Sequence, residues 1–297
     1  MGDMSAAASG DRPRVGGIRV AVVGHVEVVE FVRVARVPKP GEIVSATDTW
    51  VQAGGGGGVS AIQLAALAGE ATLFVALGDD AVGRGAREEL EGRGVRVQAA
   101  WRRPPQRRAF TFVDGTGERT ITLLSPKLHP HGDDALPWAL LAEIDGVYFT
   151  AGDPAALRAA RQARVLVATA RELPTLVEGG VLLDALVHSA VDEGEAYSPG
   201  TLEPPPRLVV STRGRAGGSY ALAAGGSGTY AAAPLVGNLV DSYGAGDCFA
   251  AGLTFALALG LAVERALAFA ASCAAGALTG RGVHVTVPAG LLPPAPS

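Results

Sequence analysis

The stretch Asp241-Ser242-Tyr243-Gly244-Ala245-Gly246-Asp247, followed at once by the apolar run Cys248-Phe249-Ala250-Ala251-Gly252-Leu253, decides how the rest of the chain is to be understood. Two glycines flanking one alanine let the backbone turn sharply and aim successive N–H groups at one point. A helix begins there, and its unpaired N-terminal amides add partial positive charge. Such a nest holds an anion. Asp247 sits at its edge, where a carboxylate makes sense as a proton acceptor beside that anion. A base next to an oxyanion cradle points to phosphoryl transfer to an alcohol. The plainer reading is a glycine-rich turn with an Asp N-cap, but a cap alone does not require the second Asp six residues earlier.

Working outward, apolar β-branched runs occur at 18–23, 72–77, 147–150, 165–169, 185–189 and 208–211, with helical stretches at 60–68, 83–92 and 154–163 between several of them. Strand and helix alternating at this spacing predict βαβ units, a parallel sheet and helices on both faces. Residues 31–50 and 97–124 break the pattern. They carry short alternating segments with turn signals, including Asp114-Gly115-Thr116-Gly117, and predict β-hairpin material outside the main sheet. Residues 248–279 are almost wholly apolar, but Gly260 and Glu264-Arg265 divide them into pieces too short for a bilayer, so two Ala-rich helices on a sheet are expected.

Composition bounds the function. The 297 residues are 48% hydrophobic, enough for one large core, and a net charge of −4 gives no electrostatic reason to expect nucleic acid. Cys248 and Cys273 lie in apolar surroundings and read as reduced and buried, as in a cytoplasmic enzyme. Residues 1–15 read as a disordered tail with no signal-peptide core, and 16–297 as a single domain. The only lysines are Lys39 and Lys127, and neither follows a glycine loop. A P-loop fold is therefore excluded, and phosphate must be held by backbone amides, arginine and metal. A dinucleotide-binding oxidoreductase is likewise disfavoured: the run Gly54 to Gly58 fails the Gly-x-Gly-x-x-Gly spacing at Val59 or Ser60.

The 241–247 stretch resembles the Asp-Thr-x-Gly-Ala-Gly-Asp pattern of the ribokinase-like, or PfkB, family of carbohydrate and nucleoside kinases, with Ser242 keeping the threonine's hydroxyl. The glycine run resembles the family's Gly-Gly-x-Gly-x-Asn-x-Ala pattern, with Gly55, Gly56 and Gly58 matching and Ser60 at the asparagine. Pro38-Lys39-Pro40-Gly41-Glu42 matches its turn into the lid. The resemblance runs from about 18 to 288 with the motifs in the family's order. It implies a three-layer α/β/α fold with a mostly parallel sheet and a small β-sheet lid built from about 31–50 and 97–124.

For the site, the resemblance implies Asp247 as general base and the amides of Gly244, Ala245 and Gly246 as anion hole. It implies an acceptor floor at Gly55, Gly56 and Ser60. The family's substrate aspartate falls at Val29, so Glu27 or Glu30 stands in for it. Glu27 shares the face of Val29 and is the preferred substitute. The loop Thr212-Arg213-Gly214-Arg215-Ala216-Gly217 resembles the family's phosphate-side loop, which assigns Thr212, Gly214 and Gly217 to the nucleotide. Asp192 and Glu195 occupy its Asn-x-x-Glu pattern, which arranges the water shell of Mg²⁺. ATP and Mg²⁺ are the implied cofactors, with K⁺ on backbone carbonyls near Asp241 and Tyr243. A sugar or nucleoside is the implied acceptor, and the carboxylates of Glu27 and Glu30 favour a neutral one. A homodimer through the lid is the implied assembly; no nucleic acid or membrane partner is expected. The departures at Val29, Ser60 and Asp192 support a rival reading as a sugar- or nucleoside-sensing protein of the same fold. His25 reads as a packed strand-end residue.

Overall fold

β-Branched and aliphatic residues crowd the strands that must be buried on both faces, and the helices between them are rich in Ala and Gly. The computed structural model describes residues 17–289; the tail expected over 1–15 lies outside the described residues. In chain order the elements are β1 (Val20–His25), β2 (Glu27–Arg33), β3 (Asp48–Gly54), α1 (Gly55–Ala68), β4 (Ala71–Gly78), α2 (Ala81–Gly92), β5 (Val95–Arg102), β6 (Arg108–Val113) and β7 (Arg119–Leu123). They continue with β8 (Gly146–Phe149), α3 (Pro154–Ala160), β9 (Val165–Thr169), α4 (Leu173–Gly179), β10 (Ala185–Ser189), β11 (Leu208–Thr212), β12 (Gly218–Leu222), β13 (Ser227–Tyr230), α5 (Ala245–Ala258) and α6 (Val263–Ala277).

Among the described residues nine strands form the main sheet in the order β13-β12-β11-β10-β9-β8-β1-β4-β5, parallel from β11 to β5, with β12 and β13 antiparallel at one edge. Alternate residues serve opposite cores. Val20, Val22, Leu73, Val75 and Val167 face α1, α2, α5 and α6, while Ala21, Val23, Phe74, Phe149 and Leu166 face α3 and α4. Each fully buried Phe or Leu stabilises the fold by about 2 kcal/mol. This is the three-layer α/β/α arrangement expected. The two Ala-rich helices pack almost in contact: a Cβ on Gly252 would lie 2.8 Å from Cys273 Sγ. Both cysteines are free and buried. Among the described residues no helix is long and apolar enough to cross a membrane.

The second sheet has the order β3-β2-β6-β7. Its limits differ from the segments expected. It starts at Glu27, only Val26 separating it from β1, and residues 34–47 hold no strand. Residues 97–102 belong instead to β5, the edge of the main sheet. An edge strand with one half-covered face alternates just as a hairpin strand does, so pattern alone could not separate them. Phe31 fastens this sheet to the 241–247 stretch, stacking on Trp50 at 4.8 Å and meeting Tyr243 edge-on at 4.9 Å.

Candidate active site

The 241–247 stretch is anchored before it turns. Asp241 is fully buried, and its carboxylate accepts from the amides of Tyr243 and Gly282, both at 2.8 Å. Gly244 then takes φ +75° as the N-cap of α5, a backbone that only glycine adopts without strain. Asp80 and Asp153 cap α2 and α3 with their side chains. No side chain caps α5. Its first-turn amides, at Ala245, Gly246 and Asp247, have no acceptor among the described residues, and Gly246 faces open space.

The glycine run does not form a loop ahead of a helix; it is the first turn of α1, which also has no side-chain cap. The Gly55 amide donates to Tyr243 Oη at 2.9 Å. Gly57 lets the helix touch β1, since a Cβ there would sit 2.5 Å from the His25 carbonyl oxygen. At Gly56 the missing side chain marks a convergence. The position its Cβ would take lies 2.6 Å from Thr150 Oγ1, 3.2 Å from Asp247 Oδ1 and 3.4 Å from His25 Cε1. Two uncapped helix N-termini therefore meet with Asp247 between them. Ser60 lies beneath this floor: it is fully buried, and its hydroxyl donates to the Asp247 carbonyl oxygen at 3.3 Å.

Burial pushes the Asp247 carboxyl up to about 7. The charges of Glu195 and Glu27 add to the rise, and Arg119 and Arg171 oppose it. A carboxyl that exchanges its proton near neutrality is suited to accept one from an alcohol.

Glu27 is buried and paired with Arg107 at 2.9 Å, and burial holds its carboxyl above the usual range against the pull of that guanidinium. Glu30 lies on the other face and pairs with Arg108. Both carboxylates are thus neutralised, which removes their charge as an argument against an anionic acceptor.

Asp192 and Glu195 share one arginine: Arg171 Nη2 donates to both, at 2.6 and 2.8 Å. The remaining Glu195 oxygen accepts from the Ser189 amide at 2.9 Å. This clasp holds Asp192 below the usual carboxylate range. Thr212 ends β11, its hydroxyl 3.4 Å from the His188 carbonyl oxygen. Gly214 is exposed, while Gly217 is buried so tightly that a Cβ would lie 2.1 Å from the Tyr230 carbonyl oxygen. Packing and a φ of +74° already account for glycine at 217.

Two arginines escaped the sequence reading because they belong to no motif. Arg171 is one. The other is Arg119 at the start of β7, whose Nη1 donates to the Ser242 carbonyl at 3.0 Å and hydroxyl at 3.1 Å. Ser242 also donates to Glu118 Oε1 at 2.8 Å. The small sheet is thereby latched to the 241–247 stretch.

The family model described as pfkB family carbohydrate kinase matches residues 18–171 and 151–289. The chain is 30% identical over 279 residues to an ATP-dependent ribose-1-phosphate kinase of Halopiger xanaduensis, covering 88% of this chain and 92% of that protein. Its fold is similar to that of Arabidopsis thaliana ribokinase complexed with ribose and ATP, with a TM-score of 0.67 at 19% identity over 90% of this chain and 94% of the other. Adenosine kinase from Sinorhizobium meliloti is similar at TM-score 0.71 and 21% identity, over 91% and 96% of the two chains. At such identity the structural likeness speaks for the fold, and the family match speaks for the chemistry. The chain belongs to the pfkB family and is a carbohydrate or nucleoside kinase of ribokinase-like fold.

Proposed function

We propose that the protein moves the γ-phosphate of ATP to a hydroxymethyl group of a sugar or nucleoside, with Asp247 as general base. Asp247 takes the hydroxyl proton while the acceptor oxygen attacks phosphorus. The bond from phosphorus to the β–γ bridging oxygen breaks, and ADP leaves. The amides of Gly244, Ala245 and Gly246 stabilise the charge on the transferring group. The observation that carries this reading is the uncapped N-terminus of α5 with a carboxyl poised near 7 in its first turn. A sensing protein would gain nothing from such a base.

The carboxylates of Asp192 and Glu195 suit a hard cation approached through water, and Arg171 cancels only one of their two charges. Bound Mg²⁺ would neutralise phosphate charge there. K⁺ would take backbone carbonyls beside Asp241 and Tyr243. Thr212, Gly214 and Gly217 would line the nucleotide phosphates, with ATP across the carboxyl ends of the strands. Gly55, Gly56 and Glu27 would form the acceptor floor, Ser60 acting from below it, and the small sheet would be the lid that excludes water. Strand β7 is exposed along its whole length, and pairing of two lids in a homodimer would cover that edge. The cytoplasm is the proposed location.

The ribose-1-phosphate kinase likeness and the neutralised Glu27 and Glu30 favour a pentose acceptor, phosphorylated or free. The test is ADP formation from Mg-ATP across sugars, sugar phosphates and nucleosides, including D-ribose, D-ribose 1-phosphate and adenosine. Acceptor-dependent ADP that vanishes in Asp247→Asn supports the proposal. Silence across the panel, with ATP binding intact by calorimetry, refutes it.

A further inference from the structure

We propose that His25 is an acceptor-binding, specificity-determining residue whose Nε2–H donates to an oxygen of the sugar lying over Gly55 and Gly56. The inference rests on the kinase reading above and adds a residue to its acceptor site.

His25 ends β1 and is only 8% exposed, yet its buried Nδ1 has no hydrogen-bond partner among the described residues. The ring is not simply packed against apolar neighbours. The Cβ positions absent at Gly55 and Gly56 lie 3.2 Å from His25 Cδ2 and 3.4 Å from His25 Cε1. Those two carbons flank Nε2, so the edge carrying Nε2 looks onto the ground that the two glycines leave bare. The same missing Cβ at Gly56 is 3.2 Å from Asp247 Oδ1, and that at Gly55 is 3.1 Å from Glu27 Cγ. Asp247, His25 and Glu27 therefore border the same two glycines, the floor of the acceptor trough in this proposal. An acceptor with its reactive hydroxyl at Asp247 presents its neighbouring oxygen to His25.

The protonation state fits donation. Burial, and then the nearby charges of Lys127, Arg107, Arg171 and His129, hold the imidazole well below its ordinary pKa, so it is neutral at pH 7. A neutral ring carries one proton, and a buried N–H without a partner costs more than a bare lone pair. The proton thus belongs on Nε2, facing the trough.

The experiment compares the wild-type chain with His25→Phe and His25→Gln, using whichever compound of the panel above gives ADP with the wild type. A lost hydrogen bond of this kind predicts a rise in acceptor KM of roughly five- to tenfold in His25→Phe, with kcat and the KM for ATP within about twofold. Glutamine, which keeps a donor at similar reach, should recover most of the loss. Thermal melts and ATP titration calorimetry verify folding, and His25→Gln against His25→Asn replaces the comparison if the phenylalanine does not fold. An acceptor KM unchanged in the folded variants, or a fall in kcat and melting temperature without a change in KM, overturns the proposal. A wild type silent toward every acceptor instead brings down the kinase reading, and this inference with it.

Discussion

Replacing Asp247 by Asn tests the base and its burial together. The carboxyl is lifted from an ordinary 3.8 to about 7, a preference for the protonated form worth about 4 kcal/mol. Asp247 keeps a partial opening to solvent, so the cost expressed in stability is expected nearer 2 kcal/mol. The direction follows from proton linkage. Between pH 3.8 and 7 the folded chain holds a proton that the unfolded chain has released, so stability falls as pH rises through that window. Asparagine cannot titrate. Asp247→Asn should therefore gain on the wild type by about 2 kcal/mol between pH 4 and pH 8, read from urea denaturation at both. Turnover should move the other way, falling at least ~10²-fold. In the wild type, kcat/KM should drop about tenfold per pH unit below about 7. A stability difference that does not change with pH would refute the burial argument, and near-normal turnover in the variant would remove Asp247 from the chemistry.

Other outcomes follow from the same geometry. Glu195→Gln removes a charge that raises Asp247, and Arg171→Gln removes one that lowers it; the acid limb of kcat/KM should shift to lower pH in the first and higher pH in the second, and equal limbs would contradict the assignment. Tyr243→Phe strips the Gly55 amide of its acceptor and should cost about 1–3 kcal/mol in thermal or urea denaturation, with a raised acceptor KM; an unchanged melt would show that water replaces the hydroxyl. Gly57→Ala drives a Cβ into the β1 backbone, with no flexible atom to yield, and should cost about 3 kcal/mol or more. Its melting temperature by circular dichroism decides the matter, and a wild-type value would deny the close helix–strand contact.

Much of the fold was legible because buried parallel strands are long apolar runs and their helices fall between. Strands at 165–169 and 185–189 lie where the pattern put them. The β5 edge strand was misplaced because its alternation serves either sheet equally well. The helix α1 was expected to begin after the glycine run, since glycine is a poor helix former; tertiary contact overrides propensity, because only glycines let this turn lie against β1 and beside Asp247.

Short-range order in the sequence was enough for the α/β layering and for the glycine-flanked turn at 244–247 where α5 begins, because these need only strand–helix alternation, two glycines and a helix start. What each charge faces depends on the tertiary fold. Arg107 neutralises Glu27, Arg171 clasps Asp192 and Glu195, Arg119 latches the small sheet to Ser242, and His25 sets its Nε2 edge against Gly55 and Gly56. These partners are 21 to 123 residues apart in the chain. No local pattern encodes such pairings, since they arise only when elements distant in sequence fold against one another.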